Sequence, residues 1–353
     1  MNALPILTEQ LPSVSCRVGS ISVIVPVKNE SKGIMSLLNE LSTQTRQPDE
    51  IVIADGGSTD DTENLIREWS ETSSIPVTLV VEAGALPGRN RNLAVQAARS
   101  EWIAAIDAGI HPPEEWLESL VQAAEAHPNA RVVFGRYAPV IESRFSEYAA
   151  MTYVGPSDVD RRSIATCLIE KGVWGEVGGC PEHLRASEDL LFFKRLDRHQ
   201  IPIAYSLGTP VRWELQPSFL KTFCRFAVYS RHGMRAGLFH DWQYRVTLQY
   251  VLLLGFIMAG FLWTGWFWGI AAVMVVARSL RRIAVWHHSS SRFQQVRAML
   301  NPFRVCGIAA INIVIDLAMF VGMGQWLVRD AGSESRKTPS ASLKSSRSCR
   351  VSD

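Results

Sequence analysis

Short apolar runs alternate with helical patterns over the first half of the chain. Four runs rich in Val and Ile end at polar or glycine residues: ISVIVPV (21–27), IVIAD (51–55), VTLVVE (77–82) and EWIAAID (101–107). Continuous apolar runs are typical of strands that are buried on both faces. The first three runs are separated by apolar residues at helical spacing: Ile34, Leu37, Leu38 and Leu41 after Ser31, then Leu65, Ile66 and Trp69 after the candidate caps Asp60 and Asp61. This alternation predicts βαβ units and an α/β fold with a mainly parallel sheet between helices.

Three carboxylates stand at the ends of these predicted strands. They are Asp55, Glu82 and Asp107. Ligands of parallel sheets bind at the carboxyl ends of the strands, so we expect a common site there. A single carboxylate at such a place can simply begin a loop, but three together favour a shared function.

A basic amphipathic segment occupies residues 217–235. Its apolar face consists of Phe219, Leu220, Phe223, Phe226 and Ala227, interspersed with Lys221, Arg225, Arg231 and Arg235. Such a helix is typical of an anionic membrane surface, although an ordinary helix packed on the domain has the same pattern. Its position just before a long apolar region favours the membrane, so we expect an interface helix over residues 216–245.

The apolar region that follows contains no charged residue between positions 246 and 277. As one helix it would be roughly 48 Å long, against a hydrocarbon core of about 30 Å. Trp263, Trp266 and Trp268 cluster in its middle, as tryptophans do at a membrane–water interface. The pattern therefore predicts a hairpin of two helices and, with a further apolar stretch at 305–328, a transmembrane region of three helices over 246–328. With three spans, the positive-inside rule is met by the arginine-rich loop at 278–302, which lies in the cytosol, while the basic tail after residue 329 lies outside. With two spans both placements reverse, so the number of spans stays open.

Composition narrows the class of protein. Lys plus Arg total 36 against 34 Asp plus Glu, which is too balanced for nucleic acid to be the main partner. The 6 cysteines show no C-x-x-C spacing, so neither a zinc site nor a disulfide framework is indicated. Residues 1–20 lack the features of a secretory signal and form the expected N-terminal leader, which predicts a cytosolic first domain. Residues 329–353 are rich in Ser, Lys and Arg and are expected to be disordered.

Several segments occur together in an order that resembles family 2 glycosyltransferases of the GT-A fold. They are SVIVPVKNE, IVIADGGSTDDT, GRNRNLAVQAARSEWIAAIDAG and GEVGGCPEHLRASEDLLFFKRL, followed by the basic helix. The resemblance covers residues 21–240 and implies a GT-A nucleotide-diphospho-sugar transferase fold, with a catalytic domain at 21–215, followed by C-terminal transmembrane helices. Those helices make the chain similar to the branch that assembles bacterial exopolysaccharide on lipid carriers, such as succinoglycan glucosyltransferases.

The resemblance assigns nucleotide-binding roles to five residues. It implies that Asp55 accepts a hydrogen bond from the nucleotide base and that Pro26 and Glu30 line the nucleoside. Arg91 is expected near the donor diphosphate, with Arg89 as a competing candidate. Asp107 is expected on the diphosphate as well, through a metal ion.

The metal site departs from the family pattern. Family members hold Mg²⁺ or Mn²⁺ with aspartates at the first and third positions of a strand-end triplet, which here reads Asp107-Ala108-Gly109. One carboxylate can suffice, because Mg²⁺ takes only one or two carboxylates and completes its shell with substrate phosphates and water. His111 is a second candidate ligand, and an imidazole there would favour Mn²⁺. A loop histidine without metal is the alternative for His111.

The resemblance places the general base in the segment Ser187-Glu188-Asp189. Asp189 is expected to take the proton of the acceptor hydroxyl while its oxygen attacks the anomeric carbon, and Glu188 to orient it or share that role. Such a single displacement inverts the sugar. Gly178 and Gly179 match a family turn beside the acceptor. The alternative for the two acids is a pair that stabilises a helix N-terminus.

The sequence therefore predicts an inverting, metal-dependent glycosyltransferase with Mn²⁺ or Mg²⁺ as cofactor. The expected partners are a nucleotide-sugar donor, which the resemblance implies is UDP-linked, a lipid-linked saccharide acceptor and membrane lipids, with no nucleic acid. The expected location is the cell inner membrane, multi-pass, with the catalytic domain in the cytoplasm. Two alternatives stay open: a transferase with polyprenyl phosphate as acceptor, and a non-catalytic membrane-tethered relative. No G-x-G-x-x-G follows the first strand, which argues against a dinucleotide enzyme.

Overall fold

The computed structural model describes residues 18–331, in which ten strands form two sheets. The strands are β1 (Ile21–Val27), β2 (Glu50–Asp55), β3 (Val77–Val81), β4 (Trp102–Ile106), β5 (Ile110–His111), β6 (Val132–Phe134), β7 (Tyr137–Pro139), β8 (Thr166–Glu170), β9 (Ile203–Tyr205) and β10 (Val211–Trp213). The large sheet has the order β3-β2-β1-β4-β8-β6-β9, and the small sheet has the order β5-β10-β7.

Twelve α-helices accompany the strands within the same residues. They are α1 (Ile34–Ser42), α2 (Thr62–Thr72), α3 (Pro87–Ala97), α4 (Trp116–Ala126), α5 (Arg144–Ala149), α6 (Lys171–Glu176), α7 (Glu188–Arg198), α8 (Phe219–Arg235), α9 (Gln243–Leu262), α10 (Trp266–Trp286), α11 (Arg292–Met299) and α12 (Pro302–Arg329). A short π-helical turn, Ala150–Val154, continues α5.

The predicted parallel sheet is confirmed for the first four strands. β1 pairs in parallel with both β2 and β4, and β2 pairs in parallel with β3. β8 is antiparallel to β4 and to β6, so the whole sheet is mainly rather than fully parallel. Both faces are covered: Val23 and Val25 face a core shared with α1 and α4, while Ile24 and Val52 face a core shared with α3 and α7. Burial on both faces explains why these strands appear in the sequence as continuous apolar runs.

The start of α2 is held by one of the two candidate caps. Oδ1 of Asp60 accepts hydrogen bonds from the backbone N–H (3.2 Å) and the hydroxyl (2.5 Å) of Thr62. Asp61 occupies the N-cap position but makes no capping hydrogen bond with its side chain.

In the region of the predicted helical hairpin, the structure has α9 and α10, which are separated by Trp263–Gly265. Two of the described helices, α9 and α12, are long and apolar enough to cross a membrane by length and composition. α10 does not meet that criterion, and it carries Arg278, Arg281 and Arg282 in its last turns. Three apolar helices are thus present among the described residues. Three membrane spans were expected, but only two of these helices are candidates for a span. The predicted leader and tail lie almost wholly outside the described residues.

The basic amphipathic helix α8 packs along α12. Oγ of Ser230 donates a hydrogen bond to the carbonyl oxygen of Met319 at 2.7 Å. Gly322 lies so close to α8 that a Cβ there would be 2.4 Å from the carbonyl oxygen of Ala227. Phe226 is buried in this contact, whereas Leu220 at the start of α8 is 72% exposed. One part of the predicted apolar face of α8 therefore packs against α12, and the part at the start of the helix is exposed.

Candidate active site

The carboxyl ends of β2 and β4 bring two predicted site residues to one edge of the sheet. Asp55 closes β2, and Asp107 follows β4 directly. β1 lies between these strands, so the two residues are about 10 Å apart across the sheet. That separation is on the scale of a nucleoside diphosphate.

Asp55 keeps one oxygen without a partner. It is fully buried, and its Oδ1 accepts hydrogen bonds from the backbone N–H (2.9 Å) and the hydroxyl (2.8 Å) of Ser58. Its Oδ2 is buried and has no hydrogen-bond partner within the described chain. A buried carboxylate oxygen without a donor is costly, so this atom is suited to receive an N–H group from a ligand.

The two glycines after Asp55 are required by the tightness of the turn. A Cβ on Gly56 would lie 2.7 Å from the carbonyl oxygen of Ala85, and Gly57 has a φ of +77°. Nζ of Lys28 also donates a hydrogen bond to the carbonyl oxygen of Gly56 at 2.9 Å. The loop after β2 is thereby held against the loop after β1.

The end of β1 faces the same region. Pro26 is partly exposed within an otherwise buried strand. Burial raises the pKa of the Glu30 carboxyl, and the negative charges of Asp60 and Asp107 raise it further. Glu30 therefore lies within electrostatic reach of Asp107, as expected for residues that line one nucleotide site.

Arg91 joins the two halves of the site. Its Nη2 donates to Oδ1 (2.7 Å) and Oδ2 (2.9 Å) of Asp107, and its Nη1 donates to Oε1 of Glu188 at 2.7 Å. Arg91 is 4% exposed and Glu188 is 6% exposed. Arg91 and Glu188 are buried and Asp107 is partly exposed, and together they fix the first turn of α7 against the end of β4. The expected catalytic and diphosphate-binding carboxylates thus share one cation. The diphosphate-binding role of Arg91 stays a prediction.

Arg89, the competing arginine, lies in a different set of contacts. It pairs with Glu82 (2.9 Å) and Glu182 (3.2 Å), and all three side chains are at least one-third exposed. The third strand-end carboxylate, Glu82, thus belongs to this exposed network.

Asp189 stands at the start of α7 in a partly buried position. Burial and the neighbouring charge of Glu188 together raise the pKa of its carboxyl to about 6, although the charge of Arg91 opposes the rise. Its Oδ1 accepts a hydrogen bond from the backbone N–H of Leu190 at 2.8 Å. A carboxylate with this pKa is a stronger base than an ordinary aspartate and is still ionised at neutral pH.

Hydrogen bonds join the turn at Gly178 and Gly179 to α3 and α7. Gly178 and Gly179 have φ values of +76° and +62°, which favour glycine. Their carbonyl oxygens accept hydrogen bonds from Nη1 of Arg195 at 2.9 and 2.8 Å. Oδ1 of Asn92 accepts from the backbone N–H of Cys180 at 2.9 Å. These contacts explain the glycines structurally, and acceptor binding by the turn stays a prediction.

Sequence reasoning missed Tyr229. Burial raises the pKa of its hydroxyl, and the charges of Asp189 and Glu188 add to that rise. Its hydroxyl oxygen accepts a hydrogen bond from Nε of Arg225 at 2.6 Å. The sequence offered only an amphipathic pattern here, because Tyr229 approaches α7 from a helix some forty residues further along the chain.

His111 has partners of its own. It lies in β5, with Nδ1 at 2.9 Å from Oε1 of Glu40 and Nε2 at 3.9 Å from Oε1 of Glu214. The metal-binding role of His111 stays a prediction, and it would require these contacts to change.

Asp107 is the carboxylate best suited to a metal ion. No group of three or more His, Cys, Asp or Glu side chains that would hold a metal occurs between residues 18 and 331. The side chain of Asp107 is 35% exposed, so it retains an open side despite its contact with Arg91. The residues therefore fit an ion that is held mainly by donor phosphates and by this one carboxylate.

These features define the fold. A mainly parallel α/β sheet with carboxylates at the ends of its central strands and at the start of α7 is the GT-A-like glycosyltransferase fold. The fold is also that of the mannosyltransferase PcManGT from Pyrobaculum calidifontis, solved in complex with GDP-Man and Mn²⁺. That structure has a TM-score of 0.52 and 17% sequence identity, and the superposition covers 85% of this chain and 86% of that one.

Residues 22–174 match glycosyl transferase family 2. Glycosyltransferase AglE of Haloferax volcanii is 24% identical over 193 residues, which cover 50% of this chain and 60% of AglE. Poly(ribitol-phosphate) beta-N-acetylglucosaminyltransferase TarS of Staphylococcus aureus is 27% identical over 188 residues, which cover 48% of this chain and 31% of TarS. The chain thus spans less than two thirds of the length of both curated relatives.

Proposed function

We propose that the protein is an inverting glycosyltransferase that transfers a sugar from a nucleotide-diphosphate donor to a lipid-linked or polysaccharide acceptor. The donor is a UDP-sugar, and the reaction takes place at the cytosolic face of the cell inner membrane. The observation that carries the proposal is the buried bridge of Arg91 between Asp107 and Glu188, next to a carboxyl of raised pKa. It joins the expected donor side and the expected acceptor side in one site.

Asp189 acts as the general base. Its carboxylate accepts the proton of an acceptor hydroxyl while the hydroxyl oxygen attacks the anomeric carbon. The bond from that carbon to the donor diphosphate breaks on the opposite face, which inverts the configuration. A pKa of about 6 suits this task, because the group is both ionised and basic near neutral pH. Glu188 remains paired with Arg91 and holds the first turn of α7 in place.

Asp107 binds the diphosphate end of the donor. It would hold Mn²⁺ or Mg²⁺ together with the donor phosphates, and the bound ion would offset the negative charge of the departing nucleotide. Arg91 keeps Asp107 oriented, because its Nη2 donates hydrogen bonds to both carboxylate oxygens.

Support for the membrane face comes from the exposed apolar surface of the C-terminal helices. α9 exposes Val251, Leu254, Met258 and Phe261, and Trp263 and Trp266 at the turn of the hairpin are 77% and 86% exposed. Tryptophans at such a turn are typical of a membrane–water interface. Exposed apolar area of this extent is a feature of surfaces that contact lipid or another protein.

The nucleotide assignment predicts the behaviour of an Asp55→Ala variant. Removal of the unpartnered Oδ2 removes the acceptor for the base N–H, so UDP affinity should fall by about 10–100-fold. Isothermal titration calorimetry with UDP, and with GDP for comparison, measures the change. The matched control is Asp61→Ala, an exposed aspartate on the same loop whose side chain bonds only Asn64. Equal UDP affinity in the Asp55→Ala variant and this control would exclude Asp55 from the site, and tighter binding of GDP would exclude the UDP assignment.

The metal assignment is tested by two further variants. Asp107→Asn should raise the Mn²⁺ concentration for half-maximal UDP-sugar hydrolysis by about tenfold or more, because it removes the one charged ligand. The same measurement on His111→Ala decides between metal binding by His111 and its contact with Glu40, since an unchanged concentration would leave only that contact. An altered metal dependence in His111→Ala would instead make His111 a ligand. Hydrolysis by the unmodified protein also distinguishes an enzyme from a non-catalytic relative.

A further inference from the structure

A basic cavity of about 590 Å³ opens among α8, α9, α10 and α12. It shares no lining residue with the strand-end site. Four arginines line it: Arg245, Arg278, Arg281 and Arg282. Asn312 and Asp316 contribute polar groups from α12.

The cavity has an excess of positive charge. Asp316 pairs with Arg278, and Asp241, the other acidic residue of the lining, pairs with Lys194 at 2.7 Å. Arg245, Arg281 and Arg282 make no ion pair within the described part of the chain. Three unpaired guanidinium groups around one cavity repel each other, so an anion between them would be favourable.

Asn312 is a second, independent sign of a ligand. It is 3% exposed, and both its Oδ1 and its Nδ2 lack a hydrogen-bond partner within the residues described. A buried amide without partners is destabilising, and such groups are rare in folded proteins. A ligand with oxygen atoms in the cavity would satisfy the amide N–H group.

The position of the cavity points to a lipid. Asn312 and Asp316 lie in the middle of α12, which with α9 has the length and composition to cross a membrane. Polar and ionisable residues in such helices mark binding sites, and basic pockets between them bind lipid phosphate headgroups. The wall of the cavity also includes Phe226 of α8, and Asp241 at its edge contacts Lys194 of α7, the helix that begins with Glu188 and Asp189.

We propose that this cavity binds the phosphate or diphosphate headgroup of a membrane lipid. Arg245, Arg281 and Arg282 contact the phosphate oxygens, and the amide of Asn312 donates a hydrogen bond to one of them. The inference rests on the proposed transfer to a lipid-linked acceptor, because it identifies the group by which that lipid is held.

The test measures binding of a lipid diphosphate without turnover. Full-length protein in phosphatidylcholine nanodiscs is titrated with farnesyl diphosphate by calorimetry, with saturating UDP present to fill the donor site. An Arg281→Gln/Arg282→Gln variant should bind the probe about tenfold more weakly or worse. The matched control is Arg292→Gln/Arg297→Gln, which removes the same charge from exposed positions of α11 outside the cavity. Equal affinities in the two variants would overturn the proposal.

A second titration separates the lipid from a free anion. Inorganic pyrophosphate should bind at least about tenfold more weakly than farnesyl diphosphate, because it lacks the chain that the surrounding apolar helices contact. Equal or tighter binding of pyrophosphate would overturn the lipid assignment.

An Asn312→Leu variant guards against a merely structural explanation. Leucine removes the unpartnered amide from a buried position, so the thermal unfolding midpoint should stay or rise while the affinity for farnesyl diphosphate falls. Unchanged affinity in this variant would overturn the role of Asn312. UDP affinity is measured in every variant: if UDP fails to bind to the unmodified protein, the proposed glycosyl transfer fails, whereas retained UDP binding without probe binding refutes only the cavity.

Discussion

An Asp189→Asn variant should lose about 10²–10⁴-fold in turnover and still bind the donor. The amide has nearly the shape of the carboxylate and can still accept the hydrogen bond from the backbone N–H of Leu190. It cannot take a proton from an acceptor hydroxyl, so the loss should appear in kcat rather than in donor affinity. Steady-state transfer from a UDP-sugar and UDP calorimetry on the same preparation measure the two quantities.

The control for this variant is Asp197→Asn on the same helix. Asp197 is 57% exposed and pairs with Arg162, so its replacement should leave turnover unchanged. Near-normal turnover of Asp189→Asn would contradict the base assignment. It would favour polyprenyl phosphate as acceptor, because a phosphate nucleophile needs little deprotonation.

The carboxyl of Asp189 also predicts how activity and stability depend on pH. Burial raises the pKa of Asp189 to about 6, so the unmodified enzyme should lose activity as the pH falls through about 6. The effect of pH on stability has the opposite direction. The folded state binds the proton of Asp189 more tightly than the unfolded chain does, so the ionised carboxylate disfavours folding above that pH. Asp189→Asn should therefore be at least as stable as the unmodified protein at pH 8, which thermal unfolding can check.

An Arg91→Met variant should lower the free energy of unfolding by about 3–5 kcal/mol. Methionine fills much of the arginine volume but leaves Glu188 buried without its cation, and Oε2 of Glu188 already lacks a partner among the described residues. A buried carboxylate that loses its only counter-ion carries its full desolvation penalty. Urea denaturation followed by circular dichroism measures the change.

Arg89→Met is the matched control for this experiment. Arg89 also contacts two carboxylates, Glu82 and Glu182, but the three side chains are substantially exposed and screened by water. Its replacement should cost only a small part of the change seen for Arg91. Similar losses in the two variants would contradict the buried-bridge interpretation.

Local patterns predicted the first four strands because their signals are continuous in sequence. β1, β2 and β4 are buried almost throughout and β3 is half-buried, and the interior positions of all four strands are apolar or small. β6 and β9 have only three residues each, which is too short for a periodic signal. Their burial depends on strands that arrive from distant parts of the chain.

The sequence predicted which residues belong to the candidate site, but not which of them contact each other. The motifs identified Asp107, Arg91 and Glu188 separately, yet Arg91 meets Glu188 across 97 positions of sequence. No local pattern specifies that pairing, since it results from the packing of α3 against α7. For the same reason, the sequence did not identify Tyr229 or the unpartnered Asn312.

The close approach of Gly322 to the backbone of α8 has a mechanical consequence. The close contact at Gly322 holds α8 against α12, and α8 also holds the segment that leads into α7, because the backbone N–H of Arg185 donates a hydrogen bond to Nδ1 of His232 at 3.2 Å. The proposed general base at the start of α7 is thus held at a fixed distance from α12. If α12 spans a bilayer, the distance of the proposed general base from the membrane is constant. Acceptors would then be selected by how far their growing end projects from the lipid.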